Sequence, residues 1–469
     1  MKILVAIASY GTANDRYLTR LVQEYRSMSF DVDIVVLSNT RKEVAPGVEL
    51  VAVDLRGKNP WSLPFPHKQI FASRLNNYDL FVYSEDDTLV TEQNLRAFLE
   101  ISAVLPEGEI AGFLRFEQNQ ASERNFPDVH GHFHWDVGSV RVRGQYTLAH
   151  FTNEHAACYV LTRQQLRRAI DSGGFLVEPH QGKYDLLCTA ATDPYTQCGL
   201  QKLICVSHLE GFLIHHLSNR YASTRFGVYE AELGRQLEAL LQVGSNGNRP
   251  TSLFHTESKL WAAWYSKNYY EPASAELLAE IEDRKRVLSI GCGSGTIETA
   301  LVAGGVHVSA IPLDPVIARG AEAKGVRMIY GTFQAARKKL TGERFDCLLL
   351  SNVVHLVPDP VNVLSSFAEL LSEGGRAVLL APNILRLSTN WGRICGDPRF
   401  QDIGSYHRSG IHLTSPKIVG DWLRGAGMEP ETRIDILSPR VRKVSRVMLG
   451  LIDRLLASEF VITAKRMSG

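Results

Sequence analysis

The sequence of 469 residues is about three times as long as a typical domain of ~150 residues, so it predicts two or three separately folded units. Apolar residues make up 45% and charged residues 22%, a composition typical of soluble globular proteins that excludes a disordered, collagen-like or coiled-coil chain. Lys and Arg number 51 against 50 Asp and Glu, so no basic field attracts polyanions and a general nucleic-acid binder is disfavoured.

The cysteines and the apolar runs predict the compartment. None of the 7 cysteines forms a C-x-x-C pair or a zinc-finger spacing, which favours a reducing environment. The apolar start at 3–10 is too short for a secretory signal, and no long apolar run could span a bilayer. We expect a cytoplasmic protein without a transmembrane segment, either soluble or peripheral at the inner face of the membrane.

The first half alternates short apolar runs with helical patterns. Strands are predicted at 2–9, 32–37 and 80–83, and helices at 17–28 and 67–75. This alternation predicts parallel strands joined by helical crossovers, which is a doubly wound α/β domain.

Three adjacent carboxylates, Glu85, Asp86 and Asp87, follow the predicted strand at 79–84. They would repel one another unless a cation lies among them, and ligands bind at the carboxyl ends of parallel strands. Mg²⁺ or Mn²⁺ held by one or two carboxylates, with a diphosphate in the remaining positions, is a common way to bind nucleotide-linked substrates. A solvated acidic turn is the alternative interpretation.

With these residues in this order, residues 1–220 resemble the GT-A fold of metal-dependent nucleotide-sugar glycosyltransferases. The acidic triplet is similar to the DXD motif of that family, with Glu in the first position. The resemblance implies that Asp87 binds the metal, while Glu85 and Asp86 reach it through water or contact the ribose. It also implies contacts to the nucleotide and its diphosphate from Ser9, Tyr10, Asn39, Lys68 and Arg74.

An acid is also expected on the acceptor side. Residues 191–193 precede a predicted helix at 194–203 and resemble the acceptor-facing acidic segment of GT-A enzymes. The resemblance implies that Asp193 is the general base, with Asp185 in reserve. A helix N-cap for Asp193 and a turn for Asp185 are the structural alternatives.

Histidines supply further candidate ligands. His215 and His216 end a predicted strand, so only one of them can face a metal, and pairing with the backbone is the alternative. The alternating His130, His132 and His134 would share one face of a strand and could form a metal cluster. The flanking Pro127 and Gly131 favour a loop instead, in which Phe133 and Trp135 would offer a sugar platform.

The densest cluster of turn-forming residues lies at 244–250. We therefore predict a first domain at 1–243, a linker at 244–254 and a second domain at 255–469.

The second domain opens with a predicted strand at 286–290, a glycine-rich turn from Gly291 to Gly295 and a helix at 296–302. Further strands are predicted at 306–311, 345–350 and 376–381, and they form a second doubly wound sheet. Later segments follow in order: Asp314-Pro315, 345–349, 351–360, 371–375 and 381–383.

Through the glycine turn and these segments, residues 260–469 resemble the class I S-adenosylmethionine-dependent methyltransferases. The resemblance implies that the glycines let the backbone approach the cofactor. The implied cofactor-binding residues are Gly291, Gly293, Gly295 and Asp314, with His355 on the methyl-acceptor side.

Three positions depart from the methyltransferase pattern. Ser289 replaces the acid of the first strand, Pro312 stands where the ribose-binding acid is expected, and Gly331-Thr332 replaces the acidic contact to adenine. Each change removes a hydrogen-bond acceptor for the cofactor. An inactive domain is therefore the alternative to an active one.

An apolar stripe near the C-terminus lies beside basic residues. Such a helix can pack on its own sheet or lie on an anionic membrane surface. The stripe is Val441, Val444, Met448, Leu451 and Leu455, and the basic residues are Arg440, Arg442, Lys443 and Arg446.

These features together predict a bifunctional enzyme built from two doubly wound α/β domains. A GT-A-like domain would transfer a sugar from a nucleotide-sugar donor to a glycan or glycolipid acceptor with Mn²⁺ or Mg²⁺. A Rossmann-like domain would methylate a glycan or sugar with S-adenosylmethionine, in bacterial surface polysaccharide synthesis. The alternatives are a glycosyltransferase with an inactive methyltransferase fold that serves for docking, and a non-catalytic binding protein.

Overall fold

The computed structural model divides into two units, Met1–Arg249 and Pro250–Gly469. It describes residues 1–224, 226–247, 253–254, 256–437, 441 and 453–467. The boundary between the units falls inside the predicted linker at 244–254. Among the described residues, no helix has both the length and the apolarity that a membrane span requires.

The first unit contains fourteen strands and six α-helices among its described residues. The strands are β1 (Lys2–Ser9), β2 (Asp31–Ser38), β3 (Glu49–Ala52), β4 (Leu80–Glu85), β5 (Thr88–Leu89), β6 (Glu109–Ala111), β7 (Leu114–Gln118), β8 (Arg124–Phe126), β9 (Trp135–Arg143), β10 (Tyr146–Phe151), β11 (Cys158–Thr162), β12 (Gln201–Cys205), β13 (Leu213–His216) and β14 (Val228–Tyr229). The helices are α1 (Asp15–Ser27), α2 (Pro66–Ser73), α3 (Glu92–Ser102), α4 (Arg163–Asp171), α5 (Leu186–Thr196) and α6 (Glu230–Asn246).

The central sheet of this unit has the order β11-β4-β1-β2-β3, and every strand except the antiparallel β11 runs parallel. Its strands β1 and β4 are continuous buried apolar runs, as expected for strands covered on both faces. Because β1 and β4 are parallel neighbours, Ser9 and Glu85 lie at the same edge of the sheet. Two smaller sheets follow, β6-β12-β10-β9 and β14-β8-β7-β13-β5.

Two predicted boundaries of the first unit are wrong. The helix expected at 194–203 is α5, which starts eight residues earlier because the side chain of Asp185 caps it, accepting a hydrogen bond from the Cys188 N–H at 2.9 Å. Pro194 lies inside this helix near its end. The linker is also helical at its start, since α6 extends to Asn246 and ends where Gly247 takes a φ of 67°.

The second unit contains seven strands and nine α-helices among its described residues. The strands are β15 (Arg286–Cys292), β16 (His307–Pro312), β17 (Arg327–Met328), β18 (Phe345–Ser351), β19 (Leu371–Pro382), β20 (Met428–Ile436) and β21 (Glu459–Arg466). The helices are α7 (Ala275–Ala279), α8 (Thr296–Ala303), α9 (Arg319–Glu322), α10 (Phe333–Lys339), α11 (Pro360–Ala368), α12 (Leu387–Ile394), α13 (Tyr406–Ser409), α14 (Pro416–Gly425) and α15 (Asp453–Leu456).

The sheet of the second unit has the order β17-β16-β15-β18-β19-β21-β20. The first five strands run parallel, and β21 lies antiparallel to both of its neighbours. The chain moves outward from β15 in one direction to β17 and then in the other direction from β18, so the topological switch point lies between β15 and β18. Ligands of open α/β sheets bind outside the carboxyl ends of the strands at this point.

The predicted C-terminal amphipathic helix falls mostly outside the described residues, at 438–440 and 442–452. Leu455 is described and lies 55% exposed in the short helix α15. The orientation of the apolar stripe therefore stays a prediction.

Candidate functional site

A cavity of about 890 Å³ opens at the carboxyl edge of the central sheet in the first unit. Its lining brings together residues from the ends of β1 and β4 with residues from β13 and the loops around it. The predicted site residues among them are Tyr10, Glu85, Asp86, Asp87, His130, Phe133, Asp185 and His216. The fold thus assembles in one place four of the five acidic candidates of this unit and two of its five candidate histidines.

The three carboxylates of the acidic triplet have different surroundings. Asp86 accepts hydrogen bonds from Ser9 Oγ at 2.5 Å and Asn14 Nδ2 at 2.8 Å, so it joins the ends of two segments. Burial and the neighbouring charge of Asp87 raise the pKa of Glu85 to about 8. Glu85 Oε1 is buried and has no hydrogen-bond partner among the described residues.

Asp87 lies beside His216 and Glu117. His216 Nε2 is 3.1 Å from Asp87 Oδ2, and His216 Nδ1 is 2.5 Å from Glu117 Oε1. Although burial opposes it, hydrogen bonding to the two carboxylates raises the pKa of His216 to about 9. Nδ1–H donates to Glu117, while Nε2 faces the Asp87 carboxylate and also lies 3.0 Å from Ser218 Oγ.

Of the three residues expected to bind the metal, Asp87, His215 and His216, the structure brings two together. His215 faces away from the acidic triplet: its ring stacks on Phe116, and its Nε2 lies 3.1 Å from Asn219 Oδ1. The expectation that His215 binds the metal is therefore corrected. No group of three or more His, Cys, Asp or Glu side chains suited to a metal occurs in the part of the chain that the structure describes. Asp87 and His216 are two donors, which suits only a Mg²⁺ or Mn²⁺ ion whose other positions are filled by diphosphate and water.

The expected roles of Lys68 as a diphosphate contact and of Asp193 as the general base are corrected by the structure. The two side chains form a buried ion pair with each other. Their side chains are 2% and 0% exposed, and neither lines the cavity. Burial lowers the pKa of Lys68 and raises that of Asp193, while the attraction between the two opposes both shifts. His180 Nε2 also lies 3.3 Å from Asp193 Oδ1. The ion pair joins α2 to α5. Of the two acids expected on the acceptor side, Asp185 lines the cavity and Asp193 does not.

Two further residues that were expected to contact the nucleotide, Arg74 and Asn39, do not line the cavity. Arg74 forms a bidentate pair with Glu49, at 2.8 and 2.9 Å, and neither residue lines the cavity. Asn39 is exposed and accepts the Gly11 N–H at 2.9 Å, which ties the loop after β2 to the loop after β1. Both residues have structural partners, and the expectation that Arg74 meets a diphosphate is corrected.

The alternating histidines lie on a loop, as expected, between β8 and β9. His130 lines the cavity, and Phe133 lines it close to Tyr184, to which its ring is parallel. Trp135 is 1% exposed and its Nε1–H donates to Gln236 Oε1, so the expectation of a sugar platform at Trp135 is corrected.

A buried charge pair at the floor of the cavity was not predicted from the sequence. Arg115 on β7 and Asp128 share two-pronged hydrogen bonds between 2.5 and 3.1 Å. Although burial opposes it, Arg115 holds the pKa of Asp128 at about 2. The signal in the sequence was a charged residue inside a strand, which is uncommon unless the charge is paired.

In the second unit, the glycine loop after β15 is packed closely by protein. A Cβ at Gly293 would lie 2.4 Å from the carbonyl oxygen of Tyr269, and Ser294 N–H donates to the same oxygen at 2.7 Å. A Cβ at Gly295 would lie 2.2 Å from that of Ala321, and Gly291 has a φ of 86° beside Val353. These positions require glycine because of protein contacts as well as any approach by a cofactor.

Asp314 does not take the place of the missing ribose-binding acid. It is 1% exposed, and its Oδ1 accepts the N–H groups of Val316 and Ile317, each at 2.8 Å. The expectation of a ribose contact is corrected, because this carboxylate caps a turn. Ser289, which stands where the methyltransferase pattern has an acid in the first strand, donates its Oγ–H to the buried Glu298 Oε1 at 2.5 Å.

His355 lies behind the carboxyl edge of β18 and is 2% exposed. Its Nε2–H donates to the Tyr265 carbonyl oxygen at 2.8 Å, and burial lowers its pKa to about 4. The ring is therefore neutral, with Nδ1 as an acceptor that has no partner among the described residues. A role on the methyl-acceptor side stays a prediction.

A group of charged and polar side chains at the switch point was also missed. We call it the polar crevice, and it consists of Lys267, Glu271, Ser351, Asn352 and Glu459. Lys267 Nζ donates to Glu271 and to the Ser351 carbonyl oxygen, the latter at 2.6 Å. Asn352 Nδ2 donates to Glu459 Oε1 at 2.8 Å and to Glu271 Oε2 at 3.3 Å. The residues of the polar crevice are separated by up to 192 positions in the sequence, so no local motif could have predicted the group.

A protein-family model described as "Methyltransferase domain" matches residues 263–431, which cover the glycine loop, β15 to β19 and α14. Together with the sheet order, this match decides the nature of the second unit. Residues 263–431 are a class I S-adenosylmethionine-dependent methyltransferase domain. The expectation for this half is confirmed at the level of fold, and the matched range begins before the glycine loop, at residue 263.

Curated relatives of this domain are methyltransferases. The chain is 34% identical over 96 residues to a ubiquinone biosynthesis O-methyltransferase of Xylella fastidiosa, covering 19% of this chain and 39% of the relative. It is 30% identical over 154 residues to that of Cereibacter sphaeroides, covering 32% of this chain and 62% of the relative. The chain thus spans less than two thirds of these relatives' length.

Solved methyltransferase structures are also similar. An S-adenosylmethionine-dependent methyltransferase from Archaeoglobus fulgidus is 18% identical, with a TM-score of 0.30 over 41% of this chain and 90% of that one. One from Mesorhizobium loti is 15% identical, with a TM-score of 0.30 over 41% and 96%. The comparisons concern the second unit and do not support a glycosyltransferase in the first.

The residues of the second unit fit S-adenosylmethionine in part. The glycine loop and the switch-point crevice occupy the expected edge of the sheet, whereas Ser289 and Pro312 offer no carboxylate. The polar crevice supplies two carboxylates and an ammonium group beside the loop. When bound, the cofactor would supply a methyl group from its sulfonium.

Proposed function

We propose that the chain is a bifunctional transferase, with a methyltransferase in the second unit and a metal-dependent glycosyltransferase in the first. The matched methyltransferase domain at 263–431 carries the first half of this proposal. The curated relatives are named as O-methyltransferases, which favours a hydroxyl group as the methyl acceptor. Hydroxyl groups of a glycan satisfy this chemistry, and one acceptor could then serve both units.

The glycosyltransferase half rests on the cavity that contains Asp87 and His216. Nε2 of His216 faces the Asp87 carboxylate at 3.1 Å, with the other ring nitrogen held by Glu117. A histidine whose second nitrogen is held by a carboxylate is the usual arrangement of a metal-binding imidazole. We assign Asp87 and His216 to Mn²⁺ or Mg²⁺, and Glu85, Asp86 and Tyr10 to the nucleotide sugar.

Asp185 is our choice for the acid that accepts the proton of the acceptor hydroxyl. It lines the cavity, whereas Asp193 is sealed in its ion pair with Lys68. The hydrogen bond that it accepts from the Cys188 N–H orients its carboxylate. The cavity is lined by charged side chains and by the aromatic rings of Tyr184 and Phe133, which suit a carbohydrate acceptor.

The test of the first unit is a thermal-shift screen of nucleotide sugars with and without Mn²⁺, followed by transfer assays with the donor found. Asp87→Asn is expected to remove metal-dependent donor binding and sugar transfer. Asp185→Asn is the matched control, because it should keep donor affinity while lowering turnover. Donor binding by Asp87→Asn at wild-type strength after chelation would refute the metal assignment.

The second unit is tested by calorimetry of the full chain with S-adenosylmethionine. Binding followed by methyl transfer to a glycan supports an active domain. Absence of binding at millimolar cofactor would favour the alternative function, in which the methyltransferase fold serves as a docking module. The loss of acceptors at Ser289 and Pro312 is the observation that favours this alternative.

A further inference from the structure

We propose that helix α12 of the second unit docks on an anionic membrane surface. None of the residues of α12 (Leu387–Ile394) belongs to the cavity of the first unit or to the polar crevice. Three large apolar side chains of this helix, Leu387, Trp391 and Ile394, are 52%, 66% and 79% exposed. Single exposed apolar residues are ordinary, whereas a cluster of them marks an interaction surface.

The polarity of α12 is the reverse of that of an ordinary surface helix, whose apolar stripe faces the core. Residues four and seven positions apart share one face of a helix, so Leu387, Trp391 and Ile394 form a single apolar stripe. At about 100° per residue, Thr389 lies on the opposite face, and it is 1% exposed. Its hydroxyl lies 3.3 Å from that of Tyr265. The helix therefore packs on its own domain through a polar residue and turns its apolar stripe outward.

Two arginines border the apolar stripe. Arg386 and Arg393 are seven positions apart, so they lie on the same flank of the helix. Arg393 is exposed and Arg386 partly exposed, and within the described residues neither forms an ion pair. The two acids between α12 and α13 are paired with other arginines, Asp397 with Arg399 and Asp402 with Arg408. The flank thus carries two cations without a protein counter-charge among the described residues, which is complementary to an anionic lipid surface.

The size of the stripe favours a membrane over a protein partner. A helix of 8 residues is about 12 Å long, so its face is much smaller than the ~800 Å² per partner of a stable protein interface. A bilayer does not need that area, because a helix at its surface inserts an apolar face between the headgroups while flanking arginines meet the lipid phosphates. Trp391, at the centre of the stripe, is of a residue type enriched at the boundary between acyl chains and headgroups.

The place of α12 in the fold connects this contact to the chemistry of the domain. The helix begins at Leu387, shortly after β19 ends at Pro382, so it follows the carboxyl edge of the sheet, where ligands of such sheets bind. A bilayer against α12 lies near that edge and narrows the methyl acceptor to a hydroxyl group of a lipid-linked glycan. This consequence rests on the proposed methyltransferase function, whereas the membrane contact does not.

The experiment is co-sedimentation of the full chain with vesicles of equal parts phosphatidylcholine and phosphatidylglycerol, and with vesicles of phosphatidylcholine alone. The variants are Trp391→Ser, Leu387→Ser and Arg393→Glu, all at exposed positions, so each is expected to fold. Leu176→Ser in the first unit is the matched control for Leu387→Ser, because Leu176 is 46% exposed and lies far from α12 in the sequence.

The wild type is expected to bind the mixed vesicles and to bind phosphatidylcholine vesicles more weakly. Trp391→Ser should weaken binding to the mixed vesicles by about tenfold, because one large apolar side chain no longer leaves water. Arg393→Glu should weaken it by about fivefold for each unit of charge, and Leu176→Ser should leave it unchanged. An environment-sensitive dye on Cys395, which is exposed and directly follows α12, should emit at shorter wavelength with the mixed vesicles.

Equal binding of the wild type to both kinds of vesicle, no binding to either, or unchanged binding of Trp391→Ser would overturn the membrane assignment. Sedimentation velocity without vesicles tests the other occupant: a dimer of the wild type that Trp391→Ser dissociates would assign the stripe to a second copy of the chain instead. None of these measurements uses methyl transfer. Loss of vesicle binding therefore leaves the proposed methyltransferase function standing, and an inactive domain that still binds the mixed vesicles through α12 supports the membrane assignment.

Discussion

Replacing Lys68 tests whether Asp193 is a structural acid or a catalytic base. The two side chains are 2% and 0% exposed, so Lys68→Met leaves the Asp193 carboxylate in the core without its lysine partner. Breaking a buried pair from one side costs about 3 to 5 kcal/mol, whereas replacing both members by apolar side chains is close to neutral. We therefore expect Lys68→Met to be strongly destabilising and Lys68→Met/Asp193→Leu to recover most of the loss.

The assay is a urea series followed by pulsed alkylation of Cys198, which is buried in the same unit and is read by mass spectrometry. With a typical dependence of unfolding free energy on urea, the single variant should lower the midpoint by about 1 to 2 M. A single variant as stable as the wild type would refute the claim that the pair is desolvated. Separately, Asp193→Asn with normal stability but no sugar transfer would restore Asp193 as the base.

Three further variants test the rest of the description. Gly293→Ala would place its Cβ 2.4 Å from the Tyr269 carbonyl oxygen, so it should lower the melting temperature of the second unit and weaken S-adenosylmethionine binding; unchanged melting by differential scanning fluorimetry would contradict this. Asp314→Ala should cost about 1 to 2 kcal/mol through two lost capping bonds and leave cofactor affinity unchanged, and a tenfold weaker affinity by calorimetry would return the ribose role to it. Arg115 holds the pKa of Asp128 at about 2, so the stability from this pair is complete above about pH 4 and is lost as the pH falls toward 2. Circular dichroism across this range should show a weaker pH dependence for Asp128→Asn, and an identical dependence would refute the pair's contribution.

The methyltransferase fold was predictable from the sequence because its signals are local. A strand, a glycine turn and a helix lie within residues 286–303. The contacts that require glycine at Gly293 and Gly295 come from Tyr269 and Ala321 outside this segment, so they were not part of the local signal. The parallel strands of both units were also predictable, because strands buried on both faces are continuous apolar runs. The start of α5 was not, because the capping residue Asp185 has the same local appearance as an ordinary turn acid.

Side-chain partners far apart in the chain were decided by the tertiary structure. Asp193 and Lys68 are separated by 125 residues, and His216 and Glu117 by 99, so no periodicity or motif connects them. The sequence by itself determined that acids and histidines follow strand ends, because strand ends are visible as changes in apolar pattern. Only packing determined which of them face the cavity and which are sealed in ion pairs, because burial and pairing depend on elements that the chain brings together from distant positions.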